Sequence, residues 1–293
     1  MTLCTTGEIV AAARRAGHAV GAFNVITLEH VEAVVAGAEK AGRPAIIQVS
    51  ENAVRFHGGQ VVPLARAAAA AAGQSSARLA LHLDHVTEMD LLRDSLDAGF
   101  SSVMFDAGAA PYDDNVAATR QAAEWAHDHG LWLEAELGYV GGKPEAPASA
   151  HDEGVRTDPE EAAAFVVATG VDALAVAVGS SHAMTERTAR LDHDLVRRLA
   201  TRVPVPLVLH GSSGVPDDEL SRAVAAGMTK INIGTALNVA YSAAVRRRLQ
   251  EDPAVTDPRK YLLDARSAMA ETVAALAALV STAGDRPRAV SGG

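Results

Sequence analysis

Six acidic and imidazole side chains along the 293-residue sequence are of the types that bind a divalent metal ion and transfer protons. They are Asp84, His85, Asp106, Glu136, His182 and His210. Neutral imidazoles and carboxylates are suitable ligands for zinc and similar ions, and three protein ligands leave one coordination position for a substrate. We interpret His85, His182 and His210 as the metal ligands. Asp106 and Glu136 could supply a second metal position or hold those ligands in place.

Asp84 adjoins one of these histidines, His85, without needing to bind the metal itself. This position suits a carboxyl group that moves a proton on a metal-bound substrate, although a carboxyl group that only orients the histidine would lie there as well. His82 shares the side of the strand that carries Asp84 but lies deeper, so we interpret it as a packed interior histidine. His57 either meets substrate or has a plain loop role.

Two segments rich in small residues have the composition of a phosphate site. They are residues 210–214 (HGSSG) and 232–235 (NIGT). The backbone amides of such segments can approach phosphate oxygens closely, and a helix N-terminus favours the anion. Ordinary tight turns have the same composition, so each segment alone is a weak signal.

The elements that must position these residues alternate along the chain. Short apolar runs rich in β-forming residues predict eight strands, at residues 19–25, 44–49, 79–83, 102–105, 131–136, 173–178, 205–209 and 229–233. Between them lie amphipathic stretches long enough for helices, such as 29–40, 89–98, 116–128, 159–168, 194–202 and 217–226. Eight strand-helix units favour an α/β fold of the (β/α)8 TIM-barrel type, with an open doubly wound sheet as the alternative.

A parallel barrel would bring the six side chains together. All of them end or follow predicted strands three to seven, and the two phosphate-type segments follow strands seven and eight. The C-terminal ends of parallel barrel strands form one rim, where barrel active sites lie. We therefore expect these residues to be neighbours in space although they are distant in sequence.

The pattern indicates one domain over residues 1–283. Helical runs continue from Ala236 to Thr282, and we expect them to finish the barrel and extend it as additional C-terminal helices. Residues 284–293 are rich in Gly, Pro and Arg without periodicity, which predicts a disordered tail. The long segment 138–158 is either a functional loop or a surface excursion.

Composition limits the partners of the chain. The formal net charge of −10 argues against general binding of nucleic acid, which depends on clustered Lys and Arg. No run approaches the roughly 20 apolar residues that span a bilayer, and the first residues lack the pattern of a secretory signal. The single cysteine, Cys4, excludes an internal disulfide and fits a reducing compartment. We expect a cytoplasmic protein without membrane or nucleic-acid partners.

The motifs together carry a family resemblance. They are HLDH (82–85), VMFDAG (103–108), EAELG (134–138), VGSSHAM (178–184), LVLHGSSG (207–214) and KINIGT (230–235), with GAFNV (21–25), IIQVS (46–50) and DPRKYL (258–263) in the expected order. In these motifs the chain resembles the class II, metal-dependent ketose-bisphosphate aldolases over residues 5 to 283. The resemblance implies a class II aldehyde-lyase, a fructose- or tagatose-bisphosphate aldolase of carbohydrate metabolism and glycolysis.

This resemblance implies a role for each matching residue. The family's zinc ligands match His85, His182 and His210, its proton donor matches Asp84, and its further metal positions, which could hold a second divalent ion, match Asp106 and Glu136. The segments that hold dihydroxyacetone phosphate match Gly211, Ser212, Ser213, Asn232, Ile233, Gly234 and Thr235. Asn24 and Ser50 match substrate-side positions. Arg259 matches a residue that meets the distal phosphate from a neighbouring subunit, which implies a homodimer or homotetramer.

The implied chemistry is reversible retro-aldol cleavage of a ketose 1,6-bisphosphate to dihydroxyacetone phosphate and an aldehyde, with no redox cofactor. Zinc polarises the carbonyl and stabilises the enediolate, while Asp84 carries the proton. A Na⁺ or K⁺ site made from backbone carbonyls around Ala183, Gly211 and Ser213 is also implied. The phosphorylated deoxy-keto acid of inositol breakdown, 5-dehydro-2-deoxyphosphogluconate, is an alternative substrate with the same donor half.

The sequence departs from the family pattern at three places. Many members carry an acid at the second position after the Gly pair of the long loop, whereas Gly141-Gly142 is followed here by Lys-Pro-Glu, which makes Glu145 a shifted substitute for the acid that exchanges the enediolate proton. Ala183 replaces a common Gly. Gly234 stands where fructose-specific members have Asp, which loosens the assignment of fructose 1,6-bisphosphate.

Two rival functions remain open in the sequence. A Schiff-base aldolase would use Lys230 on the eighth strand and no metal, but the three histidines would then have no purpose. A noncatalytic metal and sugar-phosphate binding protein would keep the ligands and lack turnover.

Overall fold

The computed structural model describes residues 3–138 and 156–282. Its eight strands are all parallel and close in chain order, with β1 paired to both β2 and β8. They are β1 (Val20–Asn24), β2 (Ala45–Ser50), β3 (Leu79–Val86), β4 (Ser102–Phe105), β5 (Trp132–Leu137), β6 (Ala173–Val176), β7 (Leu207–Leu209) and β8 (Met228–Ile233). Closure confirms the predicted barrel and excludes the open doubly wound sheet.

Helices alternate with the strands and cover the barrel. They are α1 (Thr6–Ala16), α2 (Leu28–Ala41), α3 (Glu51–Phe56), α4 (Val62–Gly73), α5 (Met89–Ala98), α6 (Tyr112–Asp128), α7 (Pro159–Thr169), α8 (His193–Arg202), α9 (Asp217–Ala226), α10 (Thr235–Glu251) and α11 (Pro258–Thr282). A short 3-10 helix, Ser212–Gly214, precedes α9. The additional C-terminal helices that the sequence predicts are thus present as α10 and α11. The predicted tail at 284–293 and the predicted loop acid Glu145 lie outside the described residues.

Helix α1, which the sequence analysis does not single out, covers the N-terminal end of the barrel. Thr5 and Glu8 form a capping box, with Thr5 Oγ1 accepting from the Glu8 amide at 3.2 Å and the Glu8 carboxylate accepting from the Thr5 amide at 2.9 Å. The apolar face of α1 buries Ile9 and Val10 against strand side chains such as Ile46. The helix therefore closes the barrel on the side opposite the rim that carries the site.

Strand β3 is longer than predicted: it pairs with β2 as far as Asp84 and with β4 at Val86, and its register with β4 shifts between Leu83 and Val86. The strand was expected to end at residue 83, which would have placed Asp84 and His85 beyond it. They instead lie within the last residues of the strand, and His85 has a positive φ of 53°. A β-bulge of this kind re-aims side chains next to active sites. The bulge is anchored by the buried Glu51 carboxylate, which accepts from the Thr87 amide at 2.7 Å.

Helix α11 packs along α2 on the outside of the barrel. Gly37 of α2 permits the contact, since a Cβ at that position would lie 2.6 Å from Val273 Cβ of α11. Val273 and Met269 are fully buried in this layer. Within residues 3–138 and 156–282, no helix combines the length and the apolar character needed to cross a membrane.

Candidate active site

The C-terminal rim of the barrel brings together four potential metal donors. They are His85, Glu136, His182 and His210, and one donor atom from each lies within 4.8 Å of the other three. The imidazole ring centroids are 4.9 Å apart for His85 and His210, 5.4 Å for His85 and His182, and 5.8 Å for His182 and His210. Three imidazoles and one carboxylate in this proximity are a donor set that suits zinc and similar divalent ions.

Two further carboxylates, those of Asp106 and Glu134, contact ring nitrogens of His85 and His210. Asp106 Oδ2 lies 2.9 Å from His85 Nδ1, and Asp106 is not one of the four clustered donors. In the same manner, Glu134 Oε1 lies 3.0 Å from His210 Nε2. Each contact leaves the other ring nitrogen to face the cluster, which is how outer carboxylates orient metal-binding histidines. The geometry therefore favours the orienting alternative for Asp106.

Glu134 is a site residue that the sequence analysis missed. It lies two positions before Glu136 on β5, so the two carboxylates share one face of the strand, and it is fully buried. The period of two within the motif EAELG was the available signal. A fully buried carboxylate requires partners, and those of Glu134 are His210 and Lys230.

The charges of the cluster depend on one another. Burial lowers the pKa of His210, but the carboxylates of Glu134 and Glu136 outweigh burial and raise it to about 10. For His85, burial likewise lowers the pKa, and the carboxylates of Asp84 and Asp106 raise it above the ordinary value overall. Burial raises the pKa of Asp84, yet the cationic groups around it, with His85 first, lower it overall. Asp84 is therefore an ionised carboxylate that can accept a proton.

Asp84 lies between the metal-type cluster and two amide side chains. Its Oδ2 is 4.0 Å from His85 Nε2 and 3.5 Å from Asn24 Nδ2, and its Oδ1 is 3.5 Å from Asn232 Nδ2. Gln48 Nε2 donates to Asn24 Oδ1 at 3.2 Å, which fixes the Asn24 amide with its NH₂ group toward Asp84. The carboxylate is thus held at the rim by weak contacts that a substrate hydroxyl could replace.

A cleft of about 140 Å³ opens beside these groups. It is lined by Asn24, Ser50, Asp84, His85, His182, Ala183, Gly211, Ser212, Ser213, Asn232, Gly234 and Thr235. Helix α10 begins here at Thr235, so its N-terminus faces the cleft, and the amide of Ala236 donates to Ser213 Oγ at 3.0 Å. Such a helix N-terminus favours a bound anion.

Two predicted substrate residues do not line this cleft. Ile233 is 1% exposed, and its side chain packs in the hydrophobic core, whereas its chain neighbours Asn232 and Gly234 line the cleft. Arg259, in the first turn of α11, has an 89% exposed side chain that pairs with Asp257 at 2.7 Å. An arginine that reaches a neighbouring subunit would be exposed in this way in a single chain.

The loops after β6 and β7 are in backbone contact. A Cβ on Gly211, which has a φ of 65°, would lie 2.6 Å from the carbonyl carbon of Ser181, and a Cβ on Gly214 would lie 2.5 Å from Met184. Ala183 takes a left-handed φ of 59° between these contacts. This packing sets His182 beside the cleft.

Lys230, the lysine of the Schiff-base alternative, lies below the cluster and is fully buried. Its Nζ is 2.8 Å from Glu134 Oε2 and 2.8 Å from Asn232 Oδ1. A lysine that donates to a carboxylate in this way is an ammonium ion without a lone pair for attack on a carbonyl. The described geometry therefore disfavours the Schiff-base alternative. His82 is also fully buried, with its Nδ1 2.7 Å from Ser102 Oγ, as expected of an interior histidine.

Known proteins share both the sequence and the fold. Residues 4–285 match the family described as fructose-bisphosphate aldolase class-II. The fructose-bisphosphate aldolase of Geobacillus stearothermophilus is 38% identical over 276 residues, which cover 93% of this chain and 95% of that protein. The fructose-bisphosphate aldolase of Staphylococcus aureus strain Mu50 is 36% identical over 274 residues, with the same two coverages.

Solved structures agree with this match. The YdjI aldolase from Escherichia coli K12 superposes with a TM-score of 0.83 at 30% identity and covers 97% of this chain and 99% of that chain. A putative fructose-1,6-biphosphate aldolase from Coccidioides immitis has a TM-score of 0.81 at 27% identity, with coverages of 96% and 97%. The fold and the rim thus define a TIM-barrel aldolase, an enzyme of the lyase class. The chain belongs to the class II fructose-bisphosphate aldolase family.

Proposed function

We propose that the chain catalyses zinc-dependent, reversible aldol cleavage of a ketose 1,6-bisphosphate of the fructose or tagatose type. The observation that carries this proposal is the position of Asp84, an ionised carboxylate between the donor cluster and the cleft. His85, His182 and His210 would hold the zinc ion, with Glu136 as an additional ligand. A bound zinc ion would supply an electrophile that polarises the C2 carbonyl and stabilises the charge left by bond cleavage.

The residues of the chain supply the proton transfers. In the cleavage direction Asp84 accepts the proton of the C4 hydroxyl group, the C3–C4 bond breaks, and the aldehyde leaves with a new carbonyl group at C4. The bonding electrons remain on the dihydroxyacetone phosphate half, which is protonated at C3 to complete the reaction. In the reverse direction Asp84 returns its proton to the new hydroxyl group. Glu145, which we propose as the acid for the C3 proton, lies outside the described residues.

The phosphate of the dihydroxyacetone half would bind at the N-terminus of α10. The loop residues Gly211, Ser212 and Ser213 line the cleft together with Gly234 and Thr235 at the start of α10. Backbone amides at a helix N-terminus suit a phosphate dianion. Carbonyl groups around Ala183, Gly211 and Ser213 could also hold Na⁺ or K⁺ beside it. We propose Ile233 as a structural spacer for these contacts, since its side chain is buried.

Substrate choice would be decided at the distal end of the cleft. At the opposite end of the cleft, beside the N-terminus of α10, a Cβ on Gly234 would lie 3.2 Å from Asn24 Oδ1, so a larger residue there would displace the Asn24 amide. The relatives from Geobacillus stearothermophilus and Staphylococcus aureus are named fructose-bisphosphate aldolases, which supports a ketose 1,6-bisphosphate as the first candidate. Arg259 of a neighbouring subunit would bind the distal phosphate in a homodimer or homotetramer.

A cleavage panel tests this function. Zinc-loaded enzyme is offered fructose 1,6-bisphosphate, tagatose 1,6-bisphosphate and the phosphorylated deoxy-keto acid of inositol breakdown, and dihydroxyacetone phosphate release is measured beside an exhaustively chelated sample. We expect preferred cleavage of one ketose bisphosphate, loss of turnover on chelation and recovery on adding zinc. Full activity of the chelated enzyme would contradict the metal-dependent mechanism, and preference for the keto acid would overturn the substrate assignment.

A further inference from the structure

Lys230 and its neighbours form a fully buried polar group beneath the site. The Nζ atom of Lys230 lies 2.8 Å from Glu134 Oε2, 2.8 Å from Asn232 Oδ1 and 3.5 Å from His82 Nε2. An ammonium group has three N–H donors and no acceptor, so these three acceptors match its donors one for one. The proposed reaction assigns Lys230 no step, yet its ammonium group contacts both Glu134, which bonds to His210, and Asn232, which lies beside Asp84.

The first contact leads to a metal ligand. Glu134 is buried together with Lys230, and its second oxygen, Oε1, lies 3.0 Å from His210 Nε2. When Nε2 carries the proton toward Glu134, the other ring nitrogen of His210 faces the donor cluster, where Nδ1 lies 2.8 Å from Glu136 Oε2. A buried carboxylate is costly without a compensating charge. Lys230 donates to Oε2 of Glu134 and so fixes the carboxylate whose Oε1 holds His210 in the orientation that presents Nδ1.

The second contact leads to the substrate side. Because Asn232 Oδ1 accepts from Lys230, the NH₂ group of the same amide must point the other way, and Asn232 Nδ2 lies 3.5 Å from Asp84 Oδ1. Without the lysine, either face of the amide could turn to the cleft. The ammonium group thus sets a donor beside the carboxylate that moves the proton.

The third contact fixes the lysine itself. Burial, followed by the charge of Lys230, lowers the pKa of His82 to about 3, so the imidazole is neutral and can accept at Nε2. Its Nδ1 then donates to Ser102 Oγ at 2.7 Å, and Ser102 Oγ donates to Thr6 Oγ1 at 2.6 Å. This chain ends on α1, so the barrel floor holds the side chain of Lys230 in place.

We propose that Lys230 is a positioning residue for the aldolase site, in which one buried ammonium group orients the metal ligand His210 through Glu134 and the cleft amide of Asn232 directly. The inference rests on the proposed metal site. It concerns how the ligands are held, and it assigns Lys230 no contact with substrate.

The first test removes the ammonium group and measures metal affinity. In Lys230→Met we expect the zinc dissociation constant, obtained by competition with a chromogenic chelator, to rise roughly 10- to 100-fold, as for other outer partners of metal ligands. The visible absorption spectrum of the cobalt-loaded protein should change as well, because the His210 ligand is no longer held. Lys40→Met makes the same chemical change at an exposed ion pair with Glu271 and should leave both readouts unchanged.

A general loss of stability must be separated from positioning. Phe165→Leu removes packing in a fully buried helix position away from the rim, and it should lower the thermal midpoint without altering the cobalt spectrum. If Lys230→Met loses stability but keeps wild-type zinc affinity and the wild-type cobalt spectrum, the proposal is overturned.

A double-mutant cycle tests the route through Glu134. Lys230→Met combined with Glu134→Gln removes the buried charges together and remains available if the single lysine variant does not fold. We expect the double variant to bind zinc with the affinity of Glu134→Gln alone, since both changes break the same path. Independent, additive losses in the cycle would contradict action through Glu134.

The effect of Lys230 through the Asn232 amide is tested by measuring kcat at saturating zinc, where weaker metal binding no longer limits turnover. Lys230→Met should still lower kcat under these conditions, and the same substitution in an Asn232→Ala background should lower it no further. A full additional loss in that background would refute the Asn232 route. Absence of stoichiometric zinc in the wild-type protein would instead refute the proposed metal site, so the two failures are distinguishable.

Discussion

Asp84 lies at the point where the donor cluster meets the amides of the cleft. Burial raises its pKa, and the cationic surroundings lower it by more, so the side chain is a carboxylate that accepts protons. It is 3% exposed and lies one residue from the ligand position at His85. Its contacts with the two amides at the cleft are long, at 3.5 Å each, and His85 Nε2 is farther away, at 4.0 Å. We therefore expect this carboxylate to exchange a proton with a substrate hydroxyl group.

Substitution of this carboxylate separates proton transfer from metal binding. In Asp84→Asn we expect kcat for cleavage to fall roughly 100- to 10,000-fold, the usual contribution of a general acid–base group, with zinc content unchanged. Dihydroxyacetone phosphate release and metal analysis of the same sample measure the two quantities. Asp90→Asn, at a 92% exposed acid on α5, is the matched control and should retain wild-type turnover. Parallel loss of zinc and activity would assign Asp84 to holding the metal instead.

Ala183 has an unfavourable backbone conformation, which the packing of the loops after β6 and β7 imposes. Its φ of 59° is a left-handed value, which is unfavourable by roughly 1–2 kcal/mol for a residue with a Cβ. We expect Ala183→Gly to leave the free energy of unfolding unchanged or to raise it by up to about 1 kcal/mol. Ala117→Gly, at an exposed position of helix α6, should lower it by about 1 kcal/mol. Urea denaturation compares the two, and an equal loss in both variants would contradict strain at Ala183.

At the scale of elements, the end of β3 decides where two site residues point. Its register shift lets Asp84 and His85 follow one another while both serve the rim, which regular alternation would not allow. The segment after the bulge is tied down by Glu51, which accepts from both the amide and the hydroxyl group of Thr87. Helix α3, which carries Glu51, is short and follows β2 directly.

Removal of this anchor should loosen the bulge. We expect Glu51→Ala to lower the free energy of unfolding by roughly 1–3 kcal/mol, because the Thr87 amide loses a charged acceptor, and to weaken zinc binding through His85. Arg55→Ala removes the exposed partner of the same carboxylate and should have little effect on either quantity. In both variants, chelator competition measures the zinc affinity and urea denaturation measures the free energy of unfolding. Unchanged zinc affinity in Glu51→Ala would show that the bulge holds His85 without this contact.

The strands were predictable because each is a short apolar run, and the rim followed from their parallel arrangement. The bulge was not, since Asp84 and His85 read as polar residues that end a strand. Helix α4 was not singled out because its alanine run has no clear apolar period. Glu134 on β5 and Lys230 on β8 form a buried ion pair across the barrel interior. Strand periodicity gives the face on which a side chain lies but does not predict contacts between strands that are far apart in sequence.

On the scale of the whole molecule, α11 packs on the outside of the barrel and carries the exposed Arg259 in its first turn. Along its length it packs on α2 through the Gly37–Val273 contact, while Arg259 in its first turn projects to solvent beside Asp257. Arg259 does not line the cleft of its own chain. Every other predicted substrate residue except the buried Ile233 does line it. Among the described residues that line the cleft there is no Lys or Arg side chain that could bind the distal phosphate of the proposed substrate.

Complementation tests whether Arg259 serves a neighbouring subunit. Asp84→Asn and Arg259→Ala should each be nearly inactive on a bisphosphate, but co-expressed chains with different tags should form hybrids in which one site combines an intact Asp84 with the partner's intact arginine. For a symmetric dimer mixed at random, about a quarter of wild-type activity should return, since half of the dimers are hybrids and each has one complete site. Two variants mixed without subunit exchange provide the control. If the purified hybrid has no more activity than the average of its parents, Arg259 acts on its own chain or has no part in phosphate binding.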